Sequence, residues 1–172
     1  METLPVALPS NLTVRPAGPD DRERLDAFVD RCSPATLYRR FHGAGERPAR
    51  REMARVAAPS ATYRSWVATS PGGDIHGVAT LAWGGDGVVE AAFMVEDAWT
   101  RHGVGRALFA ALARESRRAR LGTVRAIVQA DNERAVRFLL AVAPGARSRY
   151  AGDAEIEVTL PVTAAMPTQE AA

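Results

Sequence analysis

The most informative stretch of the sequence is Val88-Val-Glu-Ala-Ala-Phe-Met-Val-Glu-Asp-Ala-Trp-Thr-Arg-His-Gly-Val-Gly-Arg-Ala-Leu108. Its first eight residues predict a strand, and the residues after Gly103 predict an amphipathic helix. A glycine pair between a strand and a helix N-terminus lets backbone N–H groups point at one concave spot, which suits a phosphate. Gly103 and Gly105 could also serve only to make a tight turn, and the third glycine of a dinucleotide-binding fingerprint is missing.

The segments before this stretch predict three helices and an antiparallel meander. Helices are expected from Pro19, from Pro34 to Phe41 and from Pro48 to about Ala57, because proline is favoured in the first turn of a helix. Residues 63–69 and 75–83 have the composition of strands. In the second of these strands, alternation is expected to place five apolar or small residues on one face: Ile75, Gly77, Ala79, Leu81 and Trp83.

The segments after this stretch complete a βαβ unit and a hairpin. Residues 123–128 predict a strand, and Asn132 caps a helix whose inner face is expected to hold Ala135, Val136, Leu139, Leu140 and Ala143. Residues 147–160 predict the hairpin. The fold class is therefore α+β, with a mixed, mostly antiparallel twisted sheet flanked by helices.

Length and composition predict one domain with two short tails. The chain has 172 residues, of which 12–160 are expected to form the domain and 1–11 and 161–172 flexible tails. No signal peptide or membrane span is readable, so we expect a cytoplasmic protein that does not bind membranes. Cys32 is the single cysteine, which excludes an intramolecular disulfide and predicts a buried core thiol. The three histidines, at 42, 76 and 102, are too widely spaced to predict a metal site.

The basic residues have an unusual composition. All 22 are arginine, since the sequence contains no lysine, and 20 acidic residues leave a net charge of +2. A nucleic-acid-binding protein usually gathers its arginines on one face with aromatic residues between them. Here the arginines are scattered and aromatic residues make up 6% of the chain, so we expect no nucleic-acid partner.

Two motifs resemble those of the GNAT superfamily of N-acetyltransferases. The family's loop, Gln/Arg-x-x-Gly-x-Gly/Ala, is matched by Thr100-Arg-His-Gly-Val-Gly105, and a later Asn-x-x-Ala-x-x-Phe helix by Asn132-Glu-Arg-Ala-Val-Arg-Phe138. The order of elements over about 12–160 is also the family's order. The resemblance implies an enzyme that moves an acetyl group from acetyl-CoA to a primary amine, with a splayed pair of strands receiving the cofactor.

The resemblance also implies which residues bind the cofactor. The loop amides would hold the CoA pyrophosphate, and the strand before the loop would pair with the pantetheine arm. The residues assigned to cofactor binding are Phe93, Met94, Val95, Arg101, His102, Gly103, Val104, Gly105, Arg106 and Asn132. No metal is implied.

A carboxylate is needed to deprotonate the attacking amine, and Glu90 resembles the catalytic base of family members that acetylate protein lysines. Glu90 could equally be an exposed strand carboxylate. A free backbone N–H near Phe93 to Val95 would serve as the oxyanion donor. Two positions depart from the family pattern: Thr100 replaces the usual Gln or Arg, and Leu139 replaces a tyrosine that protonates the departing thiolate in many members.

A narrower resemblance concerns the acceptor. Ser33-Pro-Ala-Thr-Leu-Tyr-Arg-Arg-Phe41 is similar to the second helix of bacterial protein-lysine acetyltransferases. Apart from Glu90, the segments expected to border the acceptor cleft, 33–43 and 144–152, carry no acidic residue, which argues against a polycationic antibiotic. A protein lysine is therefore the favoured acceptor. A small-amine acetyltransferase and a catalytically silent CoA-binding module stay open as alternatives, and so does the oligomeric state.

Overall fold

The computed structural model describes residues 12–41 and 46–162. Most of the two predicted tails, residues 1–11 and 163–172, and His42 lie outside the described residues. The chain first forms a strand, then a 3-10 turn, three helices and a three-stranded meander: β1 (Thr13–Pro16), the turn (Pro19–Asp21), α1 (Arg22–Arg31), α2 (Pro34–Phe41), α3 (Arg47–Val56), β2 (Tyr63–Thr69), β3 (Ile75–Trp83) and β4 (Val89–Val95).

A second 3-10 turn (Asp97–Trp99) leads into the second half of the chain. This half contains α4 (Val104–Arg118), β5 (Thr123–Gln129), α5 (Glu133–Val142), β6 (Arg147–Gly152) and β7 (Glu155–Pro161). Beyond β7, Val162 is buried, and its N–H donates to the carbonyl of Gly122.

The seven strands form one sheet in the order β1-β2-β3-β4-β5-β7-β6. The β4–β5 pair is parallel and the other neighbouring pairs are antiparallel. The prediction of a mixed, mostly antiparallel α+β sheet is confirmed, and so is α2, whose predicted bounds match the observed ones.

Helices cover both faces of the sheet. One face packs against α4 and α5, whose buried side chains include Leu108, Leu112 and Leu139. The other face packs against α1, α2 and α3, whose buried side chains include Phe28 and Met53. Cys32 belongs to this second core, and burial raises the pKa of its thiol to about 12. The predicted core thiol is confirmed.

Two details of the prediction were wrong, for the first helix and for Leu140, and the burial of β3 was not predicted. The helix expected from Pro19 is divided into the 3-10 turn and α1, and Asp21 at the junction accepts hydrogen bonds from the Gly18 amide and from Arg15. Strand β3 is buried on both faces over its first seven residues, because it lies in mid-sheet between two helical layers. Leu140 is 38% exposed instead of inward, since Leu139, Val142 and Ala143 already cover the sheet.

Candidate functional site

Strands β4 and β5 separate immediately after they meet. Their parallel register contains one pair, Glu90 with Arg125, so the rest of the two strands is not paired. A cavity of about 430 Å³ occupies the opening and is lined on its two sides by residues 91–95 of β4 and 126–128 of β5. Helix α2 contacts both strands and closes one end of the cavity.

The loop before α4 forms the other end of the cavity. Gly103 is the N-cap of α4 and adopts a left-handed conformation with φ of 81°, which favours glycine. The first intrahelical hydrogen bond runs from the Ala107 amide to the Gly103 carbonyl at 3.0 Å. The N–H groups of residues 104–106 precede that bond and therefore have no helical acceptor.

This loop is also positively charged. The guanidinium side chains of Arg101, Arg106 and Arg134 all line the cavity, the last from the first turn of α5. Free helix amides, the positive end of the α4 dipole and three cations are groups whose charge and hydrogen-bond donors suit a polyanion such as a pyrophosphate.

Two of the predicted loop residues do not face the cavity. Val104 is 1% exposed and packs in the core under the sheet, so it can contribute only its backbone N–H. His102 is exposed, and its Nδ1 lies 2.9 Å from the carbonyl oxygen of Thr100. The other four loop residues, Arg101, Gly103, Gly105 and Arg106, do line the cavity.

Gly105 is positioned by a residue of the later motif. A Cβ placed on Gly105 would lie 3.2 Å from Cζ of Phe138, closer than most side chains tolerate. Phe138 itself lines the cavity, and its ring packs edge-on against Phe93 of β4. The two motifs are therefore in direct contact.

Strand β4 presents alternate backbone groups to the opening. The amide of Glu96 donates to the His76 carbonyl, on the β3 side, at 3.0 Å. Because neighbouring residues of a strand point their N–H groups in opposite directions, those of Phe93 and Val95 point toward β5 and the opening, and that of Met94 points toward β3. All three predicted residues line the cavity.

Asn132 and Leu139 lie on the α5 side of the cavity. Asn132 caps α5 by accepting a hydrogen bond from the Ala135 amide at 3.3 Å, and it also lines the cavity. Leu139 lines the cavity but is 3% exposed and has no proton to donate. Tyr150 lies 68% exposed on β6 and does not line the cavity, and neither does any other residue from 144 to 152.

Glu90 lies next to the cavity and not in its lining. Its side chain is 51% exposed and accepts a hydrogen bond from Arg125 at 2.6 Å, at the point where β4 and β5 meet. This hydrogen bond raises the pKa of Arg125. Alternation along β4 places Glu90 on the same face as Ala92 and Met94, toward α1–α3.

Helix α2 supplies lining residues that sequence reasoning did not single out. They are Thr36, Arg39 and Arg40. Asp97 holds the start of this helix by accepting hydrogen bonds from the Ser33 amide (2.8 Å), the Ser33 hydroxyl (2.9 Å) and the Thr36 hydroxyl (2.9 Å). This role of Asp97 depends on a contact between parts of the chain that are more than 60 residues apart.

A cluster of hydrogen-bonded side chains packs against the segment that leads into the loop before α4. Glu96 is buried, and its Oε2 lies 2.9 Å from His76 Nδ1 and 3.1 Å from Arg31 Nε. The His76 ring stacks on Trp99, which lines the cavity, at 4.2 Å between ring centroids. Within residues 12–41 and 46–162, no group of three or more His, Cys, Asp or Glu side chains could hold a metal ion.

The chain matches a known family by sequence. A model described as the acetyltransferase (GNAT) family matches residues 33–144, which include both motifs and the whole of the cavity lining. No curated protein matches the chain by sequence. In the described part of the chain, no helix is both long enough and apolar enough to cross a bilayer.

Solved structures share the fold. The GNAT domain of S. lividans PAT superposes with a TM-score of 0.78 at 24% identity, covering 86% of this chain and 89% of that one. A protein from Salmonella typhimurium, solved with its cofactor acetyl-CoA, gives 0.66 at 21% identity and covers 93% and 99%. Spermidine N-acetyltransferase from Vibrio cholerae, in complex with CoA and spermine, gives 0.66 at 15% identity and covers 87% and 94%.

Proposed function

Because the chain belongs to the GNAT family of acetyltransferases, which transfer the acetyl group of acetyl-CoA to an amine, we propose that its acceptor is the side-chain amine of a protein lysine. The family assignment makes the chain an acetyl-CoA-dependent enzyme. Three parts of the site then need a role: the cofactor loop, the opening between β4 and β5, and the carboxylate at Glu90.

The residues of the loop fit the pyrophosphate of acetyl-CoA. The cofactor carries several phosphate charges, and the loop offers the free amides of residues 104–106 with Arg101 and Arg106 beside them. Close backbone approach requires residues without bulk, and Gly103 and Gly105 meet that need. Asn132 and Arg134 bring a second polar edge from the start of α5.

The opening between the strands fits the pantetheine arm. Its walls are largely apolar, and the backbone N–H groups of Phe93 and Val95 face it. When bound, acetyl-CoA supplies a thioester carbonyl that an amine can attack. An N–H of Phe93 or Val95 can donate a hydrogen bond to a carbonyl oxygen held in the opening, and such a fixed donor favours attack because it stabilises developing negative charge.

We propose Glu90 as the group that accepts the proton of the attacking ammonium, through a water molecule. Glu90 and Ala92 share one face of β4, and Ala92 lines the cavity. The carboxylate of Glu90 therefore lies next to the acceptor end of the cavity, by which we mean the end at α2, where the acceptor amine would enter. Its hydrogen bond to Arg125 holds the carboxylate in place. Among the described residues that line the cavity there is no tyrosine, and position 139 is leucine, so solvent would protonate the departing thiolate.

A protein lysine is favoured by the charge of the cavity. Among the described residues that line it, none is Asp or Glu, and five are arginines: Arg39, Arg40, Arg101, Arg106 and Arg134. A polyamine or aminoglycoside needs carboxylates to pair its several charges. A single lysine on an extended segment needs only a narrow path to the thioester.

We also propose that the reaction takes place in the cytoplasm. The one thiol, Cys32, is buried in the core and unpaired. A domain that depends on no disulfide is suited to a reducing compartment.

The decisive experiment is an acetylation assay on host lysate with acetyl-CoA, followed by a blot for acetyl-lysine. The enzyme has no lysine, so every acetyl-lysine signal comes from the acceptor. We expect bands above the non-enzymatic background. Efficient release of CoA with small amines and no new bands would overturn the lysine proposal.

Leu139 and the lack of a lining carboxylate favour one second candidate, a module that binds CoA without catalysis. Thiol release measured with acetyl-CoA across protein and small-amine acceptors separates the two. If calorimetry shows that CoA binds tightly and no acceptor is turned over, the chain is a CoA-binding module and the proposed acetyl transfer is wrong.

A further inference from the structure

A second cleft lies on the α1–α3 side of the molecule and is strongly basic. It is formed by α1, α2 and α3, and its described lining contains six arginines and one acidic residue, Glu52. The six are Arg22, Arg40, Arg47, Arg50, Arg51 and Arg55. A concentration of like charge on this scale costs folding free energy through repulsion, so a negatively charged ligand would stabilise it.

Some of these arginines are already neutralised. Arg22 is paired with Asp26 at 2.9 Å, and Arg50 is paired with Asp30 and Glu46. These two cations have structural partners within the helical layer. They do not need an external anion.

Three arginines of α3 differ from these. Arg47, Arg51 and Arg55 are spaced four residues apart, so they share one exposed face of the helix. Within residues 12–41 and 46–162, Arg47 and Arg51 have no carboxylate partner, while Arg55 stacks over the Tyr63 ring at 3.9 Å. We call these three residues the α3 stripe.

The α3 stripe is continuous with the acceptor end of the cavity. Arg40 lines both the cavity and the basic cleft, and its Nη2 lies 3.4 Å from Glu52 Oε1. Arg39, beside it on α2, also lines the cavity and is exposed. A ligand that enters the cavity past α2 would therefore pass directly onto a surface with unpaired positive charge.

We propose that the α3 stripe binds acidic side chains that flank the acceptor lysine, so that the enzyme selects lysines in acidic segments of proteins. This inference rests on the proposed lysine acetyltransferase function. The stripe extends about 12 Å along α3, since eight residues separate its ends and each adds about 1.5 Å. An extended peptide covers that length with about four residues.

The same surface would attract a nucleic acid, but that partner fits the site less well. A nucleic acid would place phosphates on the stripe without presenting an aliphatic amine to the cavity. An acidic peptide can occupy both clefts at once, because one segment supplies the acidic side chains for the α3 stripe and the lysine amine for the cavity. The acidic peptide is therefore the partner for which the two clefts make one continuous site.

The test compares synthetic peptides that share one central lysine and differ only in flanking glutamate, glutamine or arginine. The acceptor kcat/KM is measured by thiol release, and binding to the CoA-loaded protein by fluorescence anisotropy. We expect kcat/KM for the glutamate peptide to exceed that for the glutamine peptide about tenfold at low salt, and the ratio to fall toward one at about 1 M salt, where charges are screened beyond about 3 Å.

The variant Arg47→Gln/Arg51→Gln is expected to reduce the preference for the glutamate peptide to about twofold or less. A matched control is Arg114→Gln/Arg118→Gln, which also removes two exposed arginines spaced four apart, from α4 on the other face of the sheet. That control should keep the preference unchanged. Circular dichroism spectra and melting temperatures exclude unfolding as the cause.

The outcomes separate this inference from the proposed function. Equal turnover of all three peptides, or a preference that survives in Arg47→Gln/Arg51→Gln, would overturn the α3 stripe and leave the lysine reaction standing. If no peptide is acetylated, the anisotropy measurement still decides whether the stripe binds acidic segments. Tighter binding of duplex DNA than of the glutamate peptide, lost in the same variant, would assign the stripe to nucleic acid and contradict the proposal.

Discussion

The ring of Phe138 occupies the space that a side chain on Gly105 would need: a Cβ there would lie 3.2 Å from Cζ of the ring. Gly105 lies in the first turn of α4, and Phe138 lies in α5, so the packing of the ring leaves no room for a side chain at position 105. The contact joins the motif that begins α4 directly to the motif on α5.

We therefore expect Gly105→Val to abolish CoA binding while the protein stays folded. A branched side chain would displace Phe138 toward the cavity and cover the loop amides. Calorimetry with CoA measures the loss. If the affinity for CoA is unchanged in this variant, the loop is not part of the cofactor site, and the proposed function loses its basis.

The packing part of that effect can be isolated with a smaller change. Gly105→Ala is expected to weaken CoA binding about tenfold, and the same substitution in a Phe138→Leu background to cost less, since contacting residues couple by about 0.5–3 kcal/mol. If the two substitutions act additively on affinity, the ring and the glycine are independent and the packing argument is wrong.

Gly103 gives a second prediction, based on backbone conformation. Its φ of 81° is costly for residues with a Cβ, so Gly103→Ala should lose about 1–2 kcal/mol of stability and also weaken CoA binding. The control is Gly87→Ala, in the turn before β4, where φ is 79° and a Cβ would meet no atom within 4 Å. Both variants should melt earlier, and CoA affinity should fall only for Gly103→Ala.

Glu90 is tested by removing its charge and keeping its shape. Glu90→Gln should lower kcat by on the order of 10²- to 10⁴-fold with CoA affinity nearly intact, because a positioned base contributes about that much. Glu133→Gln serves as control, since Glu133 is likewise an ion-paired carboxylate, on α5. A fall in kcat of less than about threefold would identify Glu90 as an exposed strand carboxylate without a catalytic role.

Asp97 connects the loop before α4 to α2. Its replacement should therefore lower the stability of the protein and raise KM for the acceptor. Asp97→Asn removes the charge that receives three hydrogen bonds from Ser33 and Thr36, which should cost about 1 kcal/mol. Because Thr36, Arg39 and Arg40 of the same helix line the cavity, KM for the acceptor should rise more than Kd for CoA. Asp20→Asn, at an exposed carboxylate in the first 3-10 turn, is the control.

The effect of Asp97→Asn should also depend on pH. Burial raises the pKa of Asp97, but the hydrogen bonds from Ser33 and Thr36 outweigh it, so the pKa in the folded protein lies below its ordinary value. The stabilisation by the carboxylate is therefore complete above the unfolded pKa of about 3.9 and is lost as pH falls through the lower folded value. The stability difference between wild type and variant should be constant from about pH 8 to 5 and shrink below about pH 4. A difference that grows on acidification would contradict this assignment.

The sequence predicts the elements well because their signals are local. Proline at the start of α2, the glycine loop before α4 and the cap at Asn132 each depend on a few neighbouring residues. The burial of β3 on both faces could not be predicted, for a related reason. A strand's own alternation does not reveal that helical layers cover both of its sides.

The cavity was only half predictable. The loop and β4 residues follow from the motifs, whereas Thr36, Arg39 and Arg40 enter the lining because α2 lies across two strands that are distant in sequence. The Glu96–His76 contact arises in the same way, since the antiparallel register of β3 and β4 brings together residues 20 apart. Contacts of this kind depend on tertiary packing, which has no local signal.

The single registered pair between β4 and β5 divides the sheet into two leaves, with β1–β4 on one side and β5–β7 on the other. Few backbone hydrogen bonds hold the seam between them, so we expect the amides of β5 and α5 to exchange at a lower free energy than global unfolding requires. That leaf carries one wall of the cavity, including Phe138 and residues 126–128. Anything that binds across the seam then stabilises the second leaf by mass action, and slower amide exchange in β5 and α5 at increasing acetyl-CoA concentration would record it. Acetyl-CoA bound across this seam would thus act as a clamp between the two leaves as well as an acetyl donor.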